Sequence, residues 1–267
     1  MESLALKLIM TPVLIAAASL AGRRWGPAVG GWLIGLPFTS GPVTFFLALT
    51  HGAAFAAAAA LGTLAGTLSQ ALFCLLYAWS AGRWNWPGAL AAGSLGFALV
   101  TLALQRLTLS AAWVFLAAVL TLALALRLMP RVAVVGAAPA PPPRWDLPAR
   151  MVVATAFVLL LTGVAAALGP QLTGLLAPFP LYGTILAVFA QRQQGAAAVV
   201  GVLRGLLLGL FGFACFFLAL AELIERAGVG LAFGAALSLA LVVQGVSLWT
   251  MRRRGAASSA GGDCDSP

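Results

Sequence analysis

Two polar, proline-containing segments interrupt apolar stretches of the chain, and they carry the residues best suited to bind a solute. The first is PFTSGP at 37–42 and the second is PFPLYGT at 178–184. A proline removes a backbone donor and disrupts the preceding helical turn, so each segment leaves carbonyl groups without intrahelical partners. In hydrocarbon such groups must be satisfied by protein, water or ligand. We therefore expect freed backbone groups and neighbouring hydroxyls to offer hydrogen bonds to a polar solute.

Arg204 adds the one charge that falls well inside a predicted membrane span. An intramembrane charge is costly and indicates a functional site, here one for an anionic group. The alternative is that Arg204 extends its guanidinium to the inner interface, and both interpretations stay open. Capping of the freed carbonyls by Ser and Thr is likewise the alternative for the two breaks. The candidate substrate-binding residues are Pro37, Thr39, Ser40, Gly41, Thr44, Pro180, Tyr182, Gly183, Thr184 and Arg204.

The chain offers little for catalysis. It contains no nucleophile beside a base, no paired carboxylates, no cluster with metal-ligand spacing and no glycine-rich phosphate loop with its lysine. We therefore predict that it is not an enzyme, and that it uses neither a cofactor nor a metal. No Asp or Glu lies at the depth of Arg204, which argues against a carboxylate proton relay.

The composition is that of an integral membrane protein. At 62% hydrophobic and 8% charged residues, the chain has too few polar groups to cover a soluble globule of 267 residues. A helix of about 20 apolar residues spans a bilayer. Nine such spans can be drawn: 4–21, 27–49, 52–80, 87–104, 109–129, 151–168, 172–190, 195–221 and 228–248.

The two halves of the chain repeat one another at a constant offset. Pro37 falls on Pro180, and the tripeptide Gly-Ala-Ala at 52–54 falls on the same tripeptide at 195–197. Two Gly-x-x-x-Gly pairs also match, and such pairs let helix backbones approach closely. The predicted helix-packing residues are Gly62, Gly66, Gly205 and Gly209.

The fifth span decides the predicted architecture. Each copy holds four spans, an even number, so the inserted span reverses the second copy. The fold class we predict is an all-α polytopic membrane protein, with nine transmembrane helices in a 4+1+4 inverted repeat and with helices two and seven broken. Its parts are a first unit (1–107), a reversing helix (108–130), a cytoplasmic Pro-rich linker (131–149), a second unit (150–251) and a disordered cytoplasmic tail (252–267).

The distribution of charge predicts the orientation of the chain. With the linker in the cytoplasm, eleven basic residues lie inside and three outside, which satisfies the positive-inside rule. The same rule explains the net charge of +9 without a nucleic-acid partner. We expect a multi-pass protein of the bacterial inner membrane, with the N-terminus outside and the C-terminus cytoplasmic. The bilayer and an unknown small solute are the expected partners, and the oligomeric state stays open.

The second half resembles the GlpM-like membrane proteins over about 150–249. The resemblance rests on TGLLAPFP at 173–180 followed by QGAA at 194–197, and the first half carries it more loosely through GGWLIGLP at 30–37 and HGAA at 51–54. It implies a small bacterial inner-membrane protein from a family whose members are typically a single four-span unit. This chain would then be two fused units with an added helix.

Inverted repeats and paired broken helices are typical of secondary transporters. The leading hypothesis is a secondary transporter or facilitator of a small polar solute, with an anionic one favoured if Arg204 faces the cavity. A membrane scaffold or assembly factor that does not transport is the alternative from another class, because paired units also persist when their faces simply bury well. Translocation of a lipid or another amphiphile is a further alternative.

Overall fold

The described part of the chain is helical, with short connections. The computed structural model describes residues 2–38, 40–106, 110–131, 145–156 and 179–260, and no strand occurs within these ranges. The helices are α1 (Glu2–Trp25), α2 (Pro27–Ile34), α3 (Ser40–His51), α4 (Ala53–Ala81), α5 (Trp86–Leu104), α6 (Ala111–Leu128), α7 (146–156, as far as it is described), α8 (Leu181–Gln194), α9 (Ala196–Ala227) and α10 (Val229–Ala260).

Five of these helices are long and apolar enough to cross a membrane, namely α4, α5, α6, α9 and the Val229–Trp249 part of α10. Large apolar side chains stay exposed on them, such as Leu99 at 67% and Leu231 at 72%. A soluble monomer rarely exposes so much apolar surface, so these faces suit lipid. The prediction of a helical membrane protein is confirmed, whereas the nine-span 4+1+4 arrangement stays a prediction.

Some boundaries differ from those drawn on the sequence. Span two is divided into α2 and α3, which are 8 and 12 residues long and each too short to cross a bilayer alone. Helix α7 begins at 146, inside the segment predicted as a linker up to 149. Helix α10 continues to Ala260, so the first part of the predicted disordered tail, 252–260, is helical.

The centre of the molecule is the contact between α4 and α9, one helix from each predicted unit. They are the most buried of the five spans, with 50% and 61% of their most apolar windows buried. Helix α6 packs against both, α2 and α10 pack against α9, and α5 packs against α4. The main hydrophobic core therefore contains residues from both halves of the chain.

The sequence repeat matches residue 37 with residue 180, and several helix boundaries in the two halves are separated by the same number of residues. Helices α4 and α9 start at 53 and 196, α5 and α10 start at 86 and 229, and α3 and α8 end at 51 and 194. The glycines before α4 and α9, Gly52 and Gly195, have φ values of +89° and +81°. Side chains disfavour this backbone region, so both sharp turns between helices depend on glycine.

Candidate functional site

The first helix interruption lies between α2 and α3, where Pro37 is buried. The N–H of Phe38 donates to the carbonyl of Leu36 at 2.8 Å, and the N–H of Gly41 donates to the carbonyl of Pro37 at 2.9 Å. The first bond closes a three-residue turn around the proline, and the second begins α3. The helix therefore stops and restarts at this point. Thr39 falls outside the described residues.

The second interruption repeats this backbone arrangement before α8. The N–H of Leu181 donates to the carbonyl of Phe179 at 2.8 Å, and the N–H of Thr184 donates to the carbonyl of Pro180 at 2.8 Å. Pro180 has φ −77° and ψ 61°, the values of an inverse γ-turn. Both bonds join residues that the sequence repeat matches with those of the first interruption. The same backbone hydrogen-bond geometry therefore occurs twice, once around each proline.

Two of the predicted hydroxyl groups bond to carbonyls of their own helix. Thr44 donates to the carbonyl of Ser40 at 2.9 Å, and Thr184 donates to that of Pro180 at 2.9 Å. Both threonines are buried. This is the local capping that membrane helices use near prolines, and it leaves each hydroxyl oxygen able to accept a further hydrogen bond.

Tyr182 connects the second interruption to α1 and to the first interruption. Its hydroxyl lies 3.1 Å from that of Thr11, a residue that the sequence did not indicate. Its ring also lines a cavity of about 20 Å³ beside the end of α2, which has room for one water molecule. The cavity is otherwise lined by Leu14, Leu33, Ile34, Leu36 and Phe38. The structure therefore brings the two interruptions together, and this cavity, as the described residues line it, is too small for a larger solute.

The predicted site glycines Gly41 and Gly183 lie against α9 and not beside the cavity. A Cβ on Gly41 would stand 3.4 Å from the ring of Phe216, and one on Gly183 would stand 2.6 Å from a methyl carbon of Leu206. Side chains of α9 thus fill the space next to both breaks. Opening a larger site would require α9 to move relative to α3 and α8.

Phe179, just before the second proline, packs on two further aromatic rings. Its ring centroid lies 5.5 Å from that of Phe73 on α4 and 5.4 Å from that of Phe97 on α5, both edge-to-face. Such pairs stabilise by about 0.5–1.5 kcal/mol beyond burial. This cluster holds the start of α8 against the first half of the chain. Its members are ordinary apolar residues in the sequence, so only the packing reveals it.

Arg204 lies about two turns into α9 and is half-buried. Among the described residues, no carboxylate pairs with it, and it does not line the cavity beside Tyr182. The next residue, Gly205, is pressed against α2, so Arg204 stands at the edge of that helix crossing. Both interpretations of its charge stay open.

The pair Gly205 and Gly209 lies where α9 crosses α2. A Cβ on Gly205 would stand 1.8 Å from the carbonyl oxygen of Ala28, and one on Gly209 would stand 2.6 Å from that of Trp32. The facing helix also has glycine at the contact, since a Cβ on Gly31 would stand 1.9 Å from a carbonyl oxygen of α9. The two backbones are therefore in direct contact, as small residues allow.

The matched pair on α4 behaves differently. Gly66 is buried, but Gly62 is exposed, and no described atom lies within 4 Å of the point where its Cβ would be. The described residues therefore supply no partner for Gly62, and its predicted packing role stays a prediction. The helix half equivalent to α2 in the second copy falls in 157–178, outside the described residues.

Asp146 lies in the segment predicted as a linker, where a carboxylate is normally solvated. Its side chain is fully buried. Arg23 at the end of α1 donates to it at 2.7 Å, Arg150 in α7 donates at 3.0 and 3.1 Å, and Gln193 at the end of α8 donates as well. One carboxylate thus joins three helices from both halves. The spacing of four residues between Asp146 and Arg150 was the available signal.

These partners also set the ionisation of the carboxyl. Burial by itself raises the pKa of Asp146, but the hydrogen bonds from Gln193, Arg150 and Arg23, together with the charge of Arg150, outweigh it. The pKa therefore lies below its usual range. The carboxylate stays charged at neutral pH and binds both guanidinium groups.

No family model, no curated protein and no solved structure matches this chain. The resemblance to the GlpM-like proteins therefore stays a prediction.

Proposed function

We propose that the protein is a secondary transporter or facilitator of a small polar solute, held between broken helices two and seven. The proposal includes the nine-span 4+1+4 inverted repeat, the bacterial inner membrane, an outside N-terminus and a cytoplasmic C-terminus. The observation that carries it is the repetition of one helix break, with the same two backbone hydrogen bonds around Pro37 and Pro180. Interrupted helices at corresponding positions of inverted halves are where such carriers bind their solutes.

In this proposal the described conformation is an occluded one. The cavity between the breaks has room for one water molecule, and side chains of α9 lie in the adjacent space. A solute would enter when α9 moves away from α3 or α8 and when α8 separates from α1, which frees the Tyr182 hydroxyl from Thr11. It would then bind to the Thr44, Thr184 and Tyr182 hydroxyls and to carbonyls at the breaks, with Arg204 as the candidate partner for an anionic group.

Water access along the first break tests whether these helices line a pathway. In a variant with Cys74, Cys215 and Cys264 replaced by alanine, single cysteines are introduced from 37 to 46 and labelled with a membrane-impermeant maleimide from each side. We expect buried positions such as Pro37 and Thr44 to label from both sides, because alternating access exposes them in turn. The lipid-facing Leu99 serves as the unlabelled control. If no cysteine at the break is labelled from either side, the carrier function is contradicted.

Substitution of the two prolines tests the binding groups. We expect Pro37→Ala and Pro180→Ala to reduce uptake of a transported solute into proteoliposomes by about tenfold each, because a continuous helix withdraws carbonyls from the site and one hydrogen bond corresponds to about 1.4 kcal/mol. The matched control is Pro87→Ala, since Pro87 lies in the first turn of α5, where proline is tolerated. Uptake from a metabolite panel identifies the solute. Equal losses in all three variants would contradict the proposal.

The alternative function is a membrane scaffold, and the satisfied hydroxyls favour it. Thr44, Thr184 and Tyr182 already have protein partners, and the α2–α9 backbones are in direct contact. Such an arrangement suits a protein that presents a rigid surface. Under this function, Pro37→Ala would lower thermal stability without any associated transport, and no position in the cysteine series would label.

A further inference from the structure

An open cavity of about 520 Å³ lies at one end of the bundle, away from the helix breaks. It is formed by the connection between α4 and α5 and by the turn between α8 and α9, so each half of the chain contributes one wall. Its volume falls in the range of small-molecule sites. The lining residues used below are Arg83, Trp84, Asn85, Trp86, Gln191 and Arg192.

Gln191 holds the two walls together. Its side-chain oxygen accepts from the Tyr77 hydroxyl at 3.0 Å, and its side-chain nitrogen donates to the carbonyls of Ala81 at 3.2 Å and Trp84 at 2.9 Å. The amide thus uses both donors and an acceptor to join the end of α8 to the α4–α5 connection. The cavity is therefore a built feature whose walls keep a fixed separation.

The electrostatics of this cavity favour an anion. Arg83 and Arg192 line it, and none of the carboxylates that the structure describes does. Within the part of the chain that the structure describes, neither arginine forms an ion pair. Asn85 adds a side-chain amide donor. A guanidinium group presents a planar set of donors that matches phosphate oxygens, and two of them here have no competing carboxylate.

The aromatic residues of the cavity indicate a membrane interface. Trp84 and Trp86 are 58% and 37% exposed. Trp79, in the last turn of α4, donates its indole N–H to the carbonyl of Leu128 at 2.9 Å. Tryptophan is enriched at the level of lipid headgroups. In the predicted topology this is the cytoplasmic interface, and the exposed indoles lie beside the two arginines.

We propose that this cavity binds the phosphate of an anionic phospholipid headgroup. Arg83 and Arg192 hold the phosphate oxygens, Asn85 donates to the headgroup, and Trp84 and Trp86 lie against the glycerol and upper acyl region. A soluble phosphate compound would bind the two arginines, but it has no acyl region to contact the exposed indoles at the membrane interface. The site does not depend on the transport proposal, because it shares no lining residue with the helix breaks.

The test is lipid retention by the full chain in neutral detergent, measured by native mass spectrometry during titration with phosphatidylglycerol or phosphatidylcholine. We expect phosphatidylglycerol to bind at least about tenfold more tightly than phosphatidylcholine. The R83Q/R192Q variant should bind phosphatidylglycerol about thirtyfold more weakly, since each of the two basic groups contributes about 1 kcal/mol of attraction to anionic lipid and about 1.4 kcal/mol corresponds to a factor of ten. The matched control is R24Q/R127Q, which removes two interfacial arginines that do not line the cavity.

Two further arms separate the possible outcomes. Inorganic phosphate at millimolar concentration should not displace phosphatidylglycerol, and full displacement would overturn the lipid as the occupant. R83K/R192K keeps the charge but removes the planar donors, so we expect an intermediate loss and an unchanged melting temperature. Equal loss in R24Q/R127Q and R83Q/R192Q, or no loss in either, would overturn the site.

Discussion

Replacing Gly205 with alanine is expected to destabilise the protein by about 3 kcal/mol, the upper end of the cost of overpacking a tight contact. The added Cβ would stand 1.8 Å from the carbonyl oxygen of Ala28. A backbone group cannot rotate away as a side chain can, so α2 and α9 would have to separate. The loss of close contact along this crossing would then lower the free energy of unfolding, measured by denaturant titration in mixed micelles.

The control substitution is expected to act in the opposite direction. Gly62 holds the matched position on α4, but a Cβ there meets no described atom within 4 Å. Because glycine inside a helix is less favourable than alanine by about 1 kcal/mol, Gly62→Ala should raise stability by up to that amount. Equal effects of the two substitutions would show that the α2–α9 contact is not as close as the structure has it.

The second large effect is expected at Asp146. Asp146→Asn removes the charge that binds Arg23 and Arg150 and should cost about 3–5 kcal/mol, because breaking a buried ion pair leaves uncompensated charge. The control is Glu222→Gln. Glu222 pairs with Arg226 at 3.5 Å on the surface, where the side chains are 43% and 77% exposed, and such a pair contributes about 0–1 kcal/mol.

The pH dependence of unfolding gives this prediction a second measurement. The pKa of Asp146 is lowered from its ordinary value of 3.8 in the folded protein. Its stabilisation is therefore fully present above that ordinary value and is lost as the pH falls through the lowered pKa. The difference in unfolding free energy between wild type and Asp146→Asn should be constant at neutral pH and should shrink in acid. A difference that grows in acid would contradict the ion-pair geometry.

The break at Pro37 and the turn at Gly52 could be anticipated because the cause is local. Proline lacks a backbone donor and glycine tolerates positive φ, whatever surrounds them. The repeat extends both inferences, since Pro180 and Gly195, their counterparts in the second copy, show the same backbone geometry. These features needed no knowledge of which helices touch.

The roles of Asp146 and Gln191 could not be anticipated because their partners are distant in sequence. Asp146 binds Arg23, 123 residues away, and Gln191 binds the carbonyl of Trp84, 107 residues away. A carboxylate near a proline-rich segment is normally solvated. The side chain of a glutamine near a short turn is normally solvated as well. Only the meeting of helix ends from the two halves removed Asp146 from water and supplied its donors.

By itself, then, the sequence determined that this is a helical membrane protein and that its chain is interrupted at Pro37 and Pro180, because hydrophobicity and backbone freedom belong to individual residues. The tertiary structure decided which carbonyl faces Gly205 and that no described atom lies near the Cβ position of Gly62. It also gave the hydroxyls of Thr44, Thr184 and Tyr182 protein partners. Within the described residues, it also left the cavity beside Tyr182 with room for one water molecule. These are properties of pairs of surfaces, and they arise only when the helices pack.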